Sequence, residues 1–174
     1  PTAGFDAGGR DTPLGDDEAA ELVSRIKEIL PPYVRLQRVQ RDIPASLIVA
    51  GVKKSNLRQI AQQRLFARGG RCQCIRCREV GLRRVIGGEV QLVSQSYDAC
   101  GGREHFVSFQ GEDDALVGFL RLRLSARARV RELHVYGPML PIGSRKDGWQ
   151  HRGYGERLVG EAENLAREAG YSRL

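Results

Sequence analysis

The chain has 174 residues, 41% hydrophobic and 28% charged, which suits one sizeable core plus an appendage. No stretch approaches the roughly 18 consecutive apolar residues of a membrane span, and residues 1–15, rich in Gly, Asp and Thr, lack the basic start and apolar block of a signal peptide; no membrane partner and a cytoplasmic address are expected. The formal charge is +7 and unevenly placed: between Lys53 and Arg84 ten basic residues face one acid, Glu79, an excess that attracts polyanions and makes nucleic acid the leading partner.

Apolar residues at Leu22, Val23, Ile26, Ile29 and Leu30 predict an amphipathic helix that starts near Asp16, with Asp16, Asp17 and Glu18 at its positive end and Pro31-Pro32 as its stop. Residues 33–43 alternate apolar with polar and predict a strand with one wet face, closed by Asp42-Ile43-Pro44. Ser55 reads as the cap of a basic helix running to about Ala67, ended by Gly69-Gly70. After the cysteines the chain turns strand-like at 90–96, 104–109, 116–124 and 130–136, which predicts an antiparallel sheet. Leu158, Ala162, Leu165, Ala166 and Ala169 then mark a helix ended by Gly170, and 171–174 has the look of another strand's opening. The expected class is α+β.

Cys72, Cys74 and Cys77 sit within six residues; three thiols cannot all pair locally as disulfides, and a cytoplasmic chain would keep them reduced. Metal binding suits them, and zinc, which takes thiolates tetrahedrally, is the first choice; nearby arginines favour the ionised sulfurs. Cys100, His105 and His134 are candidates for a fourth ligand. The spacing differs from the C-x3-C-x2-C triad that holds a radical-SAM iron–sulfur cluster.

Gln150-His151-Arg152-Gly153-Tyr154-Gly155 leads directly into the last helix, where backbone N–H groups and the helix dipole can hold an anion. The pattern resembles the pyrophosphate-binding turn of GNAT acetyltransferases, which grips coenzyme A. A plain strand-to-helix reversal is the alternative.

Four segments carry a closer resemblance: Gln40-Arg41-Asp42-Ile43-Pro44, Gly51-Val52-Lys53-Lys54-Ser55-Asn56-Leu57-Arg58, Cys77-Arg78-Glu79-Val80-Gly81, and Arg131-Glu132-Leu133-His134-Val135-Tyr136-Gly137 together with the Gly-Tyr-Gly turn. Their order and wording resemble the catalytic subunit of Elongator, of the archaeal and bacterial type. The resemblance implies a division into the end of a radical-SAM region (1–52), a basic zinc-binding linker (53–88) and part of a GNAT-like acetyltransferase domain (89–174), lacking the radical-SAM core and the family's C-terminal end. It implies modification of wobble uridines in tRNA at C5 with a carboxymethyl-type group, the acetyl unit coming from acetyl-CoA and a radical from SAM at a 4Fe-4S cluster in the absent part. Acetyl-CoA would lie along Glu132, Leu133, His134 and Val135, with its pyrophosphate on Gln150, Gly153, Tyr154, Gly155 and Glu156. Zinc would sit on Cys72, Cys74 and Cys77, and tRNA on Lys53, Lys54, Arg58, Arg64, Arg68, Arg71, Arg76 and Arg78. A homodimer or other Elongator-type subunits would be its protein partners.

Two other functions fit parts of the pattern. A protein lysine N-acetyltransferase would bind acetyl-CoA and face an acidic substrate, but the sequence identifies no carboxylate as its general base. A tRNA-binding module without catalysis would use the basic segment alone. That segment holds one aromatic residue, Phe66, so contact with the RNA backbone is expected there rather than stacking on bases.

Overall fold

The structure is a computed structural model that describes residues 12–39, 43–83, 88–137 and 153–174. Contacts divide the chain into two compact units, 1–76 and 77–174, with the division inside the segment expected as linker. No helix among the described residues is long and apolar enough to cross a membrane.

In the first unit, helix α1 (Asp16–Ile29) begins as its acidic first turn predicts, with Glu18 Oε2 accepting from the Gly15 N–H at 3.1 Å. Helix α2 (Leu57–Ala67) starts one residue beyond the expected cap, at Asn56, and no side chain caps it. It ends at the glycine pair as expected: the N–H of Gly70 reaches Leu65 O at 2.9 Å, and Gly69 takes φ +74. The helices bury Ala19, Ala20 and Leu57 with Val23, Val52 and Ile60 around them.

The strand expected over 33–43 does not form. Residues 34–38 run without regular structure, and 40–42 lie outside the described residues. Among the described residues no strand pairs with them; instead the Arg58 guanidinium donates to the carbonyls of Leu36 (2.9 Å) and Gln37, and Val34 O accepts from the N–H of Ile75 at 2.9 Å. Alternation reports a half-buried segment, and here side-chain donors take the place of a ladder.

In the second unit, two short helices, α3 (Ile75–Arg78, which straddles the division) and α4 (Val80–Arg83), precede strands β1 (Gln91–Ala99), β2 (Gly102–Gln110), β3 (Leu116–Leu124) and β4 (Ala128–Val135) and helix α5 (Tyr154–Glu168). The strands form one antiparallel sheet in the order β1-β2-β3-β4, the meander that short turns between consecutive strands produce. One face buries Val107, Leu120, Leu122 and Leu124 against Leu158, Ala162 and Ala166 of α5. Residues 171–174 are not a strand; Gly170 at φ +86 ends α5, and the Tyr171 hydroxyl donates to Ser125 O at 2.5 Å. The α+β class and the four-stranded sheet are as expected.

Candidate functional site

Strand β4 is an edge of the sheet: β3 pairs with one side, and no strand among the described residues pairs with the other. Its register slips, Arg121 facing Glu132 but Leu122 facing Val130, so Arg131 is a bulge residue. Gly118 of β3 faces Val135, and a Cβ there would meet His134 O at 2.8 Å; glycine permits this close approach. Leu133 and Val135 project to the α5 side, while Glu132 and His134 project to the other.

Gly153 precedes α5 in the left-handed region, φ +74, which a residue with a Cβ enters only under strain. The first helical bond runs from the N–H of Arg157 to Gly153 O at 3.0 Å, and among the described residues no side chain caps the helix. The N–H groups of Tyr154, Gly155 and Glu156 therefore lie ahead of the helical ladder, at the positive end of a helix of 15 residues. A Cβ on Gly155 would stand 3.8 Å from Val135 Cγ2, so the start of α5 and the end of β4 adjoin. Eight of the nine residues expected around acetyl-CoA thus fall on two neighbouring elements; the ninth, Gln150, lies outside the described residues.

The sulfurs of Cys72, Cys74 and Cys77 all lie within 4.8 Å of one another, Cys72 and Cys74 buried and Cys77 half-buried. Three converging thiols in a buried loop fit zinc, for which they supply three of four tetrahedral positions. Among the described residues no His, Cys, Asp or Glu joins this group, so Cys100, His105 and His134 are not brought into it. Cys100 is exposed in the β1–β2 turn, and His105 is on β2, where burial, then the positive charge of Arg103, holds its pKa below the ordinary value.

The basic residues divide by partner. Arg64 pairs with Asp17 at 2.6 Å and Arg68 with Glu21 at 3.1 Å, stapling α2 to α1. Arg58 is occupied with backbone carbonyls, and Arg78 is buried. Lys53 and Lys54 have exposed side chains while their backbone N–H groups donate to Asp16 Oδ1, at 2.9 and 3.1 Å. Those bonds, that of Lys54 foremost, hold the Asp16 carboxyl below its ordinary pKa. Arg71 is exposed and Arg76 half-buried.

A further polar group lies on the sheet face away from α5. Arg121 Nε donates to Glu132 Oε2 at 2.8 Å, and His134 Nε2 lies 3.1 Å from Glu132 Oε1. Arg123 and Arg131 both reach Oε1 of Glu104, at 2.8 and 3.0 Å, and Glu104 is only 2% exposed. Tyr97, Glu104, Arg121 and Arg123 were not singled out from the sequence. Their signal was the alternation of Leu120, Leu122 and Leu124 with Arg121 and Arg123, which marks a charged second face.

Residues 7–67 match the family model described as the radical-SAM C-terminal domain. The chain is 42% identical over 175 residues to the tRNA uridine(34) acetyltransferase of Methanocaldococcus infernus, covering 90% of this chain and 33% of that protein. It is 45% identical over 177 residues to the enzyme of the same name from Dehalococcoides mccartyi, covering 92% and 38%. Mouse Elongator complex protein 3 is 42% identical over 177 residues, covering 92% and 32%. The solved structure of the M. infernus Elongator protein 3 with an N-terminal deletion superposes with a TM-score of 0.81 at 40% identity, covering 94% of this chain and 43% of that one. The chain spans about a third of the length of the curated relatives it matches. On these matches the chain belongs to the Elongator catalytic-subunit family, of the archaeal and bacterial type.

Proposed function

We propose that this chain is the part of a tRNA wobble-uridine modifying enzyme that holds the acyl donor and contacts the RNA. The observation that carries the reading is the junction of β4 with α5: a strand edge that no described strand pairs, beside a helix N-terminus that no described side chain caps and whose first turn contains Gly155. A strand edge offers alternating N–H and C=O groups to an extended amide chain such as pantetheine. The N–H groups of residues 154–156 suit the pyrophosphate that follows it. Acetyl-CoA would supply the acetyl unit, and the radical-SAM part of a whole protein would supply one-electron chemistry with SAM and a 4Fe-4S cluster. The cysteine loop would hold zinc as a structural ion that fixes the basic segment, whose exposed Lys53, Lys54 and Arg71 would meet tRNA phosphates. Amine acetylation is less well supported, because Glu132, the carboxylate on this strand, is engaged by Arg121 and His134 rather than offered as a base.

Titration of tRNA and of a non-hydrolysable acetyl-CoA analogue tests this, at two salt concentrations, on this chain and on a chain of the curated relatives' length. Binding of tRNA that weakens steeply with salt, and saturable binding of the analogue to at least the longer chain, is the expected result. Failure of both chains to bind the analogue would reduce the glycine turn to a chain reversal and end the enzyme reading.

A further inference from the structure

The sheet face away from α5 interleaves aromatic rings with guanidinium groups. Phe106 and Phe119 pack with ring centroids 5.1 Å apart, and His134 lies 5.4 Å from Phe119. The Arg121 guanidinium lies over both phenyl rings, 5.5 and 5.8 Å from their centroids, and its Nη1 donates to the Tyr97 hydroxyl at 3.0 Å. Beside it opens a cavity of about 220 Å³ lined by Tyr97, Arg121, Arg131 and Glu132. The bulge in β4 sets Arg131 at its rim, where the side chain is 55% exposed while one nitrogen is tied to Glu104.

Charge and size limit what fits. Arg121, Arg123 and Arg131 outnumber Glu104 and Glu132, leaving one positive charge in surplus; Phe106 and Phe119 are fully buried beneath Arg121, so Tyr97 is the ring that lines the cleft. The volume is smaller than the usual pocket for a whole cofactor and suits a single base or sugar-phosphate unit. Planar guanidinium and phenol groups on a strand surface, with positive charge at the rim, are the means by which sheets hold unpaired bases: stacking on the π-face and pairing with the backbone phosphate. A duplex, whose bases are stacked on one another, could not use them.

We propose that this face is a platform for single-stranded RNA, one nucleotide occupying the cleft with its base against Tyr97 and Arg121 and its phosphate on Arg131. The proposal rests on the reading of the chain as tRNA-contacting and adds a second contact, distinct from the lysines of the first unit. It supplies the stacking that the basic segment lacks.

Fluorescence anisotropy on the whole 174-residue chain tests it, with an oligouridine strand and an RNA duplex of equal length as probes. Tyr97→Ser is expected to weaken oligouridine binding roughly tenfold and leave duplex binding unchanged, whereas Tyr97→Phe binds as the parent does. Arg131→Gln is expected to weaken single-strand binding and lower its salt slope by about one. Arg131→Lys, which preserves the pairing with Glu104, separates loss of contact from loss of fold. Parental affinity in Tyr97→Ser and Arg131→Gln, with Lys53→Gln/Lys54→Gln impaired, would overturn the platform and leave the RNA reading standing. Failure of the parent chain to bind either RNA would overturn both.

Discussion

Glu104 is a buried carboxylate whose Oε1 accepts from two arginines, with its other oxygen, Oε2, unbonded among the described groups. Removing its charge leaves Arg123, mostly buried, without a counter-ion; Glu104→Gln should destabilise the chain by about 2–4 kcal/mol, read by denaturant unfolding. An effect below about 0.5 kcal/mol would place the pair among ordinary surface ion pairs. The glycines of the turn divide by role. Gly153→Ala forces a Cβ into the left-handed region and should cost about 1–2 kcal/mol of stability. Gly155→Ala meets only ordinary contact at Val135 Cγ2, so its melting temperature should hold while affinity for coenzyme A falls. At this scale the sequence was partly legible. Spacing located the cysteines and the glycine turn, because both are local in the chain. The arginines were grouped by sign alone; that Arg58, Arg64, Arg68 and Arg78 serve the protein's own interior or its helix pairing depends on partners 21 to 47 residues away for Arg58, Arg64 and Arg68, and on burial for Arg78.

At the level of elements, α1 and α2 are joined by a small apolar contact and a strip of ion pairs, so their union should depend on pH. The carboxyls of Asp16 and Glu21 lie below their ordinary pKa, Asp16 through the backbone N–H of Lys54 and Lys53, Glu21 through hydrogen bonding to Arg25 and the charge of Arg68. Groups so lowered contribute stability that is present above their unfolded-state values and is lost as pH falls through the folded values. Melting of the first unit should therefore be flat above about pH 5 and decline towards pH 3. Asp16→Asn should flatten part of that decline, and an unchanged profile would contradict the role given to the Asp16 bonds. Cap and glycine signals found α2, composition between turn residues found the four strands, and periodicity found α1 and α5. It failed at 33–43, where alternation came from a segment pinned by Arg58 and Ile75, and at 171–174, where Tyr171 is held by Ser125.

Across the whole molecule, the cysteine loop lies where the contacts of one unit give way to those of the next, between Cys74 and Cys77. If zinc fixes this loop, the purified chain should carry one equivalent, Cys74→Ser should abolish it, and a chelator should lower the melting temperature of the parent but not of the variant. The surplus of positive charge is concentrated in residues 53–84, and the RNA affinity it produces should fall steeply between low and physiological salt. Coenzyme A at the junction of β4 and α5 is the central claim to test. Amide chemical shifts of the labelled chain, followed while coenzyme A is added to saturation, measure this. The amides of Gly153, Tyr154, Gly155 and Glu156 and those of Glu132 to Val135 should move together, with α1 and α2 unchanged. Shifts that saturate elsewhere and leave the start of α5 still would contradict it.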